Sequence, residues 1–202
     1  MKLWGGRFEQ APTEIFERFS GSLSFDRRLL EADIRGSQAW ARALERAGIL
    51  TAIERERIVT SLEEILAEAA ERDVFAGADD EDVHTFVIRK LGERAGDLAA
   101  KIHTGRSRNE QVSTDVRLWL RARIDETLAL LADLMEALVG HGRRYGGAVI
   151  PGYTHLRRAQ PVLWPHYLLA YFEMFARDAE RLLEARRRTN LLPLGSGALA
   201  GS

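Results

Sequence analysis

Three short runs concentrate side chains able to move protons or hold charge. Gly152 to Val162 (GYTHLRRAQPV) carries a threonine, a histidine, two arginines and a glutamine. His103 to Gln111 (HTGRSRNEQ) carries hydroxyls, Arg106, Arg108 and Asn109, and Phe19 to Asp26 (FSGSLSFD) is rich in serine. An imidazole has an intrinsic pKa suited to general acid–base work, so His155 with the Thr154 hydroxyl beside it is one candidate centre. The same histidine, alone in sequence, equally suits a structural bond to a backbone carbonyl. Gly105 and two arginines ahead of a helix suit a carboxylate or phosphate, or else a cap with two solvated arginines. The serine run suits helix capping. His84, after the acidic run Asp79–Asp82, is a weaker candidate for acid–base work. The five histidines are scattered, without HxxxH or HExxH spacing, and no metal site is expected.

Helices must position these runs, because apolar residues recur at three- and four-residue spacing and no alternating strand stands out. Leu29, Leu30, Ile34, Trp40, Ala41 and Leu44 predict a helix from Asp26 to Ala47, interrupted by Gly36 and stopped at Gly48. Thr51 and Glu54 have capping-box spacing for a helix reaching about Glu71. The carboxylates of Asp79 to Asp82 favour a helix start at that point. From Ser107 to Val139 there is neither glycine nor proline. Val112, Val116, Leu120, Ile124, Leu128, Leu131, Met135 and Leu138 stripe one continuous helix of roughly 50 Å, with Ser107 and Glu110 at its start and Gly140 and Gly142 at its end. Gly152 to Val162 reads as an irregular connector, with Pro161 in the first turn of another long helix. Leu168, Phe172, Phe175, Ala179, Leu182 and Leu183 supply that helix's apolar face. Two such helices cannot bury their stripes on each other alone, so a bundle shared with other helices or other subunits is expected.

Composition narrows the function classes. The 202 residues include 29 basic and 30 acidic side chains, a net charge of −1, so nothing in the bulk field points to nucleic acid. Without cysteine, disulfides, thiol chemistry and CxxC metal sites are excluded. The opening MKLWGGRFEQ is too polar for a signal peptide, and no apolar run is long enough for a transmembrane helix. A soluble cytoplasmic protein is expected. The closing run LLPLGSGALAGS, apolar and glycine-rich, suggests a piece of a longer protein.

Five runs together resemble argininosuccinate lyase: KLWGGRF at the start, EDVHT at 81–85, KIHTGRSRNEQV at 101–112, GYTHLRRAQPV at 152–162 and LLPLGSGALAG at 191–201. They follow that family's order along the whole chain. TGRSRN with GYTH and LPLGSG separates it from fumarase, aspartase and adenylosuccinate lyase. The resemblance implies an all-α fold, with a small N-terminal helical domain (1–106) and the first long helices of a central bundle (107–202). It also implies a homotetramer with sites shared between subunits. The implied reaction cleaves argininosuccinate to arginine and fumarate without cofactor or metal. A proton leaves the carbon beside a carboxylate, an enolate-like dianion forms, and the C–N bond breaks, which calls for donors placed around that carboxylate.

Residue by residue, the resemblance makes His155 the catalytic histidine. It makes Ser22, Arg108, Asn109 and Thr154 substrate-binding, and His84 a neighbour of the site. The family usually has aspartate where Glu110 stands and glutamine where Arg157 stands. Its serine loop, reading like GSSxMPQKKNP, supplies a proton-abstracting serine and lies beyond residue 202, so the 202 residues alone are expected to be inactive. A δ-crystallin-like structural protein and a related superfamily lyase are the alternatives. Intact Ser22, Asn109, Thr154 and His155 argue against the first, and TGRSRN and LPLGSG against the second.

Overall fold

The computed structural model describes residues 13–201. Its contacts divide the chain into two units. One holds the described residues up to Trp119 together with those from Leu192 onward, and the other is Leu120–Leu191.

In the first unit, α1 (Glu14–Ser20) is capped by the Thr13 hydroxyl, which accepts from Phe16 N. The single helix expected from Asp26 is instead three pieces: α2 (Leu23–Asp26), a 3-10 turn (Arg27–Leu29) and α3 (Leu30–Arg46). Gly48 follows α3 with φ of 75°, the left-handed geometry that a side chain resists. Gly36 does not break α3. A Cβ there would lie 2.7 Å from Gln111 Nε2, so the missing side chain makes room for that amide.

The predicted capping box starts α4 (Ala52–Glu71): Glu54 N donates to Thr51 Oγ1 at 3.2 Å and Thr51 N to Glu54 Oε2 at 2.9 Å. The acidic run ends in Asp82, which caps α5 (Val83–Ala95) by accepting from Thr85 N at 2.8 Å. A short α6 (Leu98–Lys101) leads to α7 (Arg108–Arg144). Ile34, Ile58, Leu62, Phe86, Leu91 and Ile102 lie fully buried at the centre of the core. Each contributes about 1.5–3 kcal/mol relative to exposure.

The second unit corrects three expectations. The run expected as an irregular connector is an antiparallel hairpin of β1 (Val149–Thr154) and β2 (Arg157–Leu163), pairing Val149 with Leu163 and Thr154 with Arg157. A register shift between Pro151 and Tyr153 breaks the alternation that marks a strand in sequence. Gly152 sits in that shift, where a Cβ would come 2.9 Å from Gln160 O. Pro161 belongs to β2, and Pro165 is the proline in the first turn of α8 (Trp164–Thr189). In addition, α7 passes through Gly140 and Gly142 to Arg144.

Ile124 and Leu168 are the buried hydrophobic residues among those described in this unit. The predicted stripes are mostly half-buried, whereas Leu130, Leu134, Leu169, Met174 and Leu183 are exposed, so α7 and α8 keep uncovered apolar side chains within one chain. Among the described residues, no helix is long and apolar enough to cross a membrane.

Candidate active site

In the first unit the start of α7 is bolted to the acidic run before α5. Arg108 Nε donates to Asp82 Oδ2 at 2.6 Å, and Nη1 and Nη2 both reach Glu81 Oε1 at 3.1 Å. Ser22 joins the same network. Its backbone N–H donates to Glu81 O at 2.7 Å and its hydroxyl to Asp26 Oδ2 at 2.6 Å, while Asp26 Oδ1 accepts from Val83 N at 3.1 Å. Although Ser22 precedes α2, its hydroxyl makes no capping bond, contrary to the capping expected of the serine run.

Burial, with the nearby Asp82, raises the Asp26 carboxyl above its ordinary value despite its bonds to Ser22 and Val83. Burial also acts against ionised Asp82, but the bonds from Thr85 and the Arg108 guanidinium bring its carboxyl below the ordinary value. Asn109, next in the chain, is exposed at the first turn of α7. Ser22 and Arg108 therefore come together around Glu81 and Asp82, with Asn109 next to Arg108 in the chain. Arg108 is engaged with two carboxylates, and Asn109 is exposed.

Behind this network lies a buried polar cluster that includes His84. Its Nδ1 is 2.7 Å from Asp33 Oδ2, and both side chains are shut from solvent. Arg106 Nη1 donates to Ser37 Oγ at 3.0 Å and to Gln111 Oε1 at 2.9 Å. Gln111 Nε2 in turn donates to Asp115 Oδ1 at 2.9 Å. Burial, then the adjacent Asp33 carboxyl, pushes the Asp115 carboxyl up to about 10. Burial beside Asp33 thus favours the protonated form of the Asp115 carboxyl. Burial, reinforced by Arg106 and His84, lowers the pKa of His103, whose ring stacks on His84 with centroids 6.1 Å apart. His84 Nε2, His103 Nδ1 and two Arg106 nitrogens have no hydrogen-bond partner.

Sequence reasoning missed Asp33, Ser37, Gln111 and Asp115. Their signal is present in the spacing: two polar pairs at i, i+4 on helix faces that are otherwise buried and apolar. An open groove of about 720 Å³ lined by Phe25, Arg27, Arg28, Phe75 and Trp119 contains none of the candidate residues.

In the second unit, Thr154 and His155 lie exposed at the hairpin tip. Thr154 pairs with Arg157, leaving His155 and Leu156 as a two-residue loop with φ of 49° and 62°. Positive φ at both positions is the geometry of a type I′ turn, which favours Asn-Gly. Histidine and leucine adopt it at a cost of order 1–2 kcal/mol each. The imidazole is thereby presented on a fixed, outward turn. Among the described residues, no three His, Cys, Asp or Glu side chains converge as metal ligands would.

A protein-family model described as lyase matches residues 6–202. This chain belongs to the lyase family. Over its full length it is 66% identical to argininosuccinate lyase from Solibacter usitatus and 50% identical to that from Desulforudis audaxviator, covering 44% of each relative. The chain therefore spans less than half the length of these curated relatives. Among solved structures, an EDDS lyase variant with bound fumarate superposes with a TM-score of 0.77 at 27% identity, covering 96% of this chain and 39% of that one. A fumarate lyase from Mesorhizobium, at 22% identity and a TM-score of 0.65 over 95% of this chain and 44% of that one, shares the fold. The all-α lyase architecture expected from sequence is thus the observed one, with the hairpin as its departure.

Proposed function

We propose that the protein carrying this chain cleaves argininosuccinate to arginine and fumarate in the cytoplasm. The observation that carries this reading is His155, held on a strained and exposed turn in a chain 66% identical to an argininosuccinate lyase. Elimination needs a proton taken from the carbon beside a carboxylate, donors for the charge that develops there, and a proton for the departing guanidinium nitrogen. His155 has the chemistry for proton transfer, and Thr154 offers a hydroxyl next to it.

Asn109 supplies donors at the start of α7, where the helix dipole favours a carboxylate. Arg108 and Ser22 hold that segment on Glu81 and Asp82, and His84 supports it from the buried side. The base that removes the carbon-bound proton is assigned, by resemblance, to a serine loop beyond residue 202. We keep the division at residues 106 and 107, an N-terminal helical domain followed by the first bundle helices. The exposed apolar side chains of α7 and α8 favour a homotetramer whose subunits share their sites. The fumarate bound to the EDDS lyase variant favours the same product class. No metal or cofactor enters the proposed chemistry.

The test is release of fumarate from argininosuccinate by the full-length protein, followed by ultraviolet absorbance. No release by freshly purified protein would sink the reading.

A further inference from the structure

Glu110 has no role in the proposed reaction, yet its carboxylate is one of the most heavily used groups in the first unit. It is buried, with 5% of its surface exposed. Oε1 accepts from Ser107 N at 2.8 Å, closing half of the predicted capping box. Oε2 accepts from Gly195 N and Gly197 N, both at 2.8 Å, across 85 and 87 residues of sequence. Two backbone N–H groups converge on one oxygen because Gly195 and Gly197 adopt φ of 104° and 62°, which side chains rarely tolerate. The same turn is closed internally by Ser196 N to Pro193 O at 3.0 Å and Gly201 N to Ser196 O at 2.6 Å. Three N–H donors to one carboxylate are charge-assisted bonds that offset the cost of burying the charge. The start of α7 and the Arg106 guanidinium add favourable field.

We infer that Glu110 is a positioning residue, tying the LPLGSG turn to the TGRSRN segment so that Asn109 and the backbone around it are held in one arrangement. Its effect on turnover rests on the lyase reading, whereas the tether itself does not. A simple cap would need only the bond to Ser107. Spending the second oxygen on a distant glycine turn is what separates the two roles. In Glu110→Gln the side chain keeps its length but replaces one acceptor with an NH₂ group, which must face a backbone N–H. Glu110→Asp keeps the charge with a reach shorter by roughly 1.5 Å, one C–C bond.

The deciding experiment measures amide hydrogen exchange at Gly195 and Gly197 in the full-length protein, alongside steady-state kinetics with argininosuccinate. Glu110→Gln is expected to speed exchange at both glycines by about tenfold or more, the loss of a charged hydrogen bond. It should raise KM by roughly tenfold with kcat within about threefold, and Glu110→Asp should restore most of both. Unchanged exchange in Glu110→Gln overturns the tether, and faster exchange with unchanged KM overturns the positioning role. If Glu110→Gln does not fold, Gly197→Ala strains the turn from its other end, with its Cβ 3.2 Å from Gly201 O. That variant must show the same exchange and KM changes, or the proposal fails. A wild-type protein that releases no fumarate would remove the lyase reading, while the exchange measurement still decides the tether.

Discussion

His84 Nδ1 meets Asp33 Oδ2 at 2.7 Å, with neither side chain reaching solvent. A histidine that the sequence places just after an acidic run therefore finds its partner on another helix, 51 residues earlier. Removing one member leaves the other buried and polar, which is costlier than removing both. His84→Leu should destabilise the protein by about 3 kcal/mol. Adding Asp33→Asn should recover part of that loss, as coupled neighbours do. Urea unfolding of the two single variants and the double variant checks this, and strict additivity would contradict the pairing.

Asp115 gives stability an unusual dependence on pH. Its carboxyl is pushed up to about 10 by burial and by Asp33, so the folded chain keeps a proton that the unfolded chain releases above the ordinary 3.8. A raised folded pKa gives a contribution that is complete below the unfolded value and is lost as pH rises towards the folded one. Asp115→Asn keeps an oxygen for Gln111 and provides a permanent N–H towards Asp33. Its stability should fall less than wild type between about pH 6 and about pH 9. Chemical denaturation midpoints at the two pH values measure this. Parallel losses in both proteins would count against the buried proton.

The long helices, the Thr51–Glu54 box and the acidic start of α5 were legible because each is a local pattern of spacing and capping. The hairpin was not. Its register shift at Gly152 breaks the strand period, and its tip is His-Leu, where a type I′ turn ordinarily advertises itself as Asn-Gly. Pro161 looked like a helix start because proline suits the first turn, but Pro165 takes that place four residues later. Gly36 looked like a flaw in a helix, since its reason is the Gln111 amide 75 positions away. Thr154, His155, Arg108 and Asn109 stood out as surplus polar groups. The Asp33, Gln111 and Asp115 cluster did not, because its logic lies in contacts between helices.

Arg108 tests how much the α7 start depends on the acidic run. Asp82 lies below its ordinary value against the opposition of burial, held there by Thr85 and Arg108. A depressed carboxyl contributes stability that is present above the unfolded value of 3.8 and is lost as pH falls through the folded one. Arg108→Ala should cost about 1–2 kcal/mol near neutral pH, a figure reduced for the partial exposure of the guanidinium. The gap from wild type should close below about pH 4, as Asp82 becomes protonated in both proteins. Acid titration of stability followed by circular dichroism provides the measurement, and a gap independent of pH would rule out the Asp82 link.

The hairpin tip separates stability from turnover. Leu156 is 98% exposed with φ of 62°, so its side chain buries nothing while its backbone is strained. Leu156→Gly should stabilise the protein by roughly 1 kcal/mol, the relief of left-handed strain less the entropy of glycine. His155→Asn tolerates the same backbone region and should leave stability within about 0.5 kcal/mol of wild type. Losing the imidazole should nevertheless lower kcat for fumarate release by about a hundredfold or more, the usual size of a general acid–base contribution. The full-length protein is compared for melting and turnover in each variant. If His155→Asn turns over normally, the histidine serves the turn alone. If it loses turnover only in step with stability, its effect is structural. A stable His155→Asn protein with little turnover is the outcome expected of an imidazole held on the turn to transfer protons.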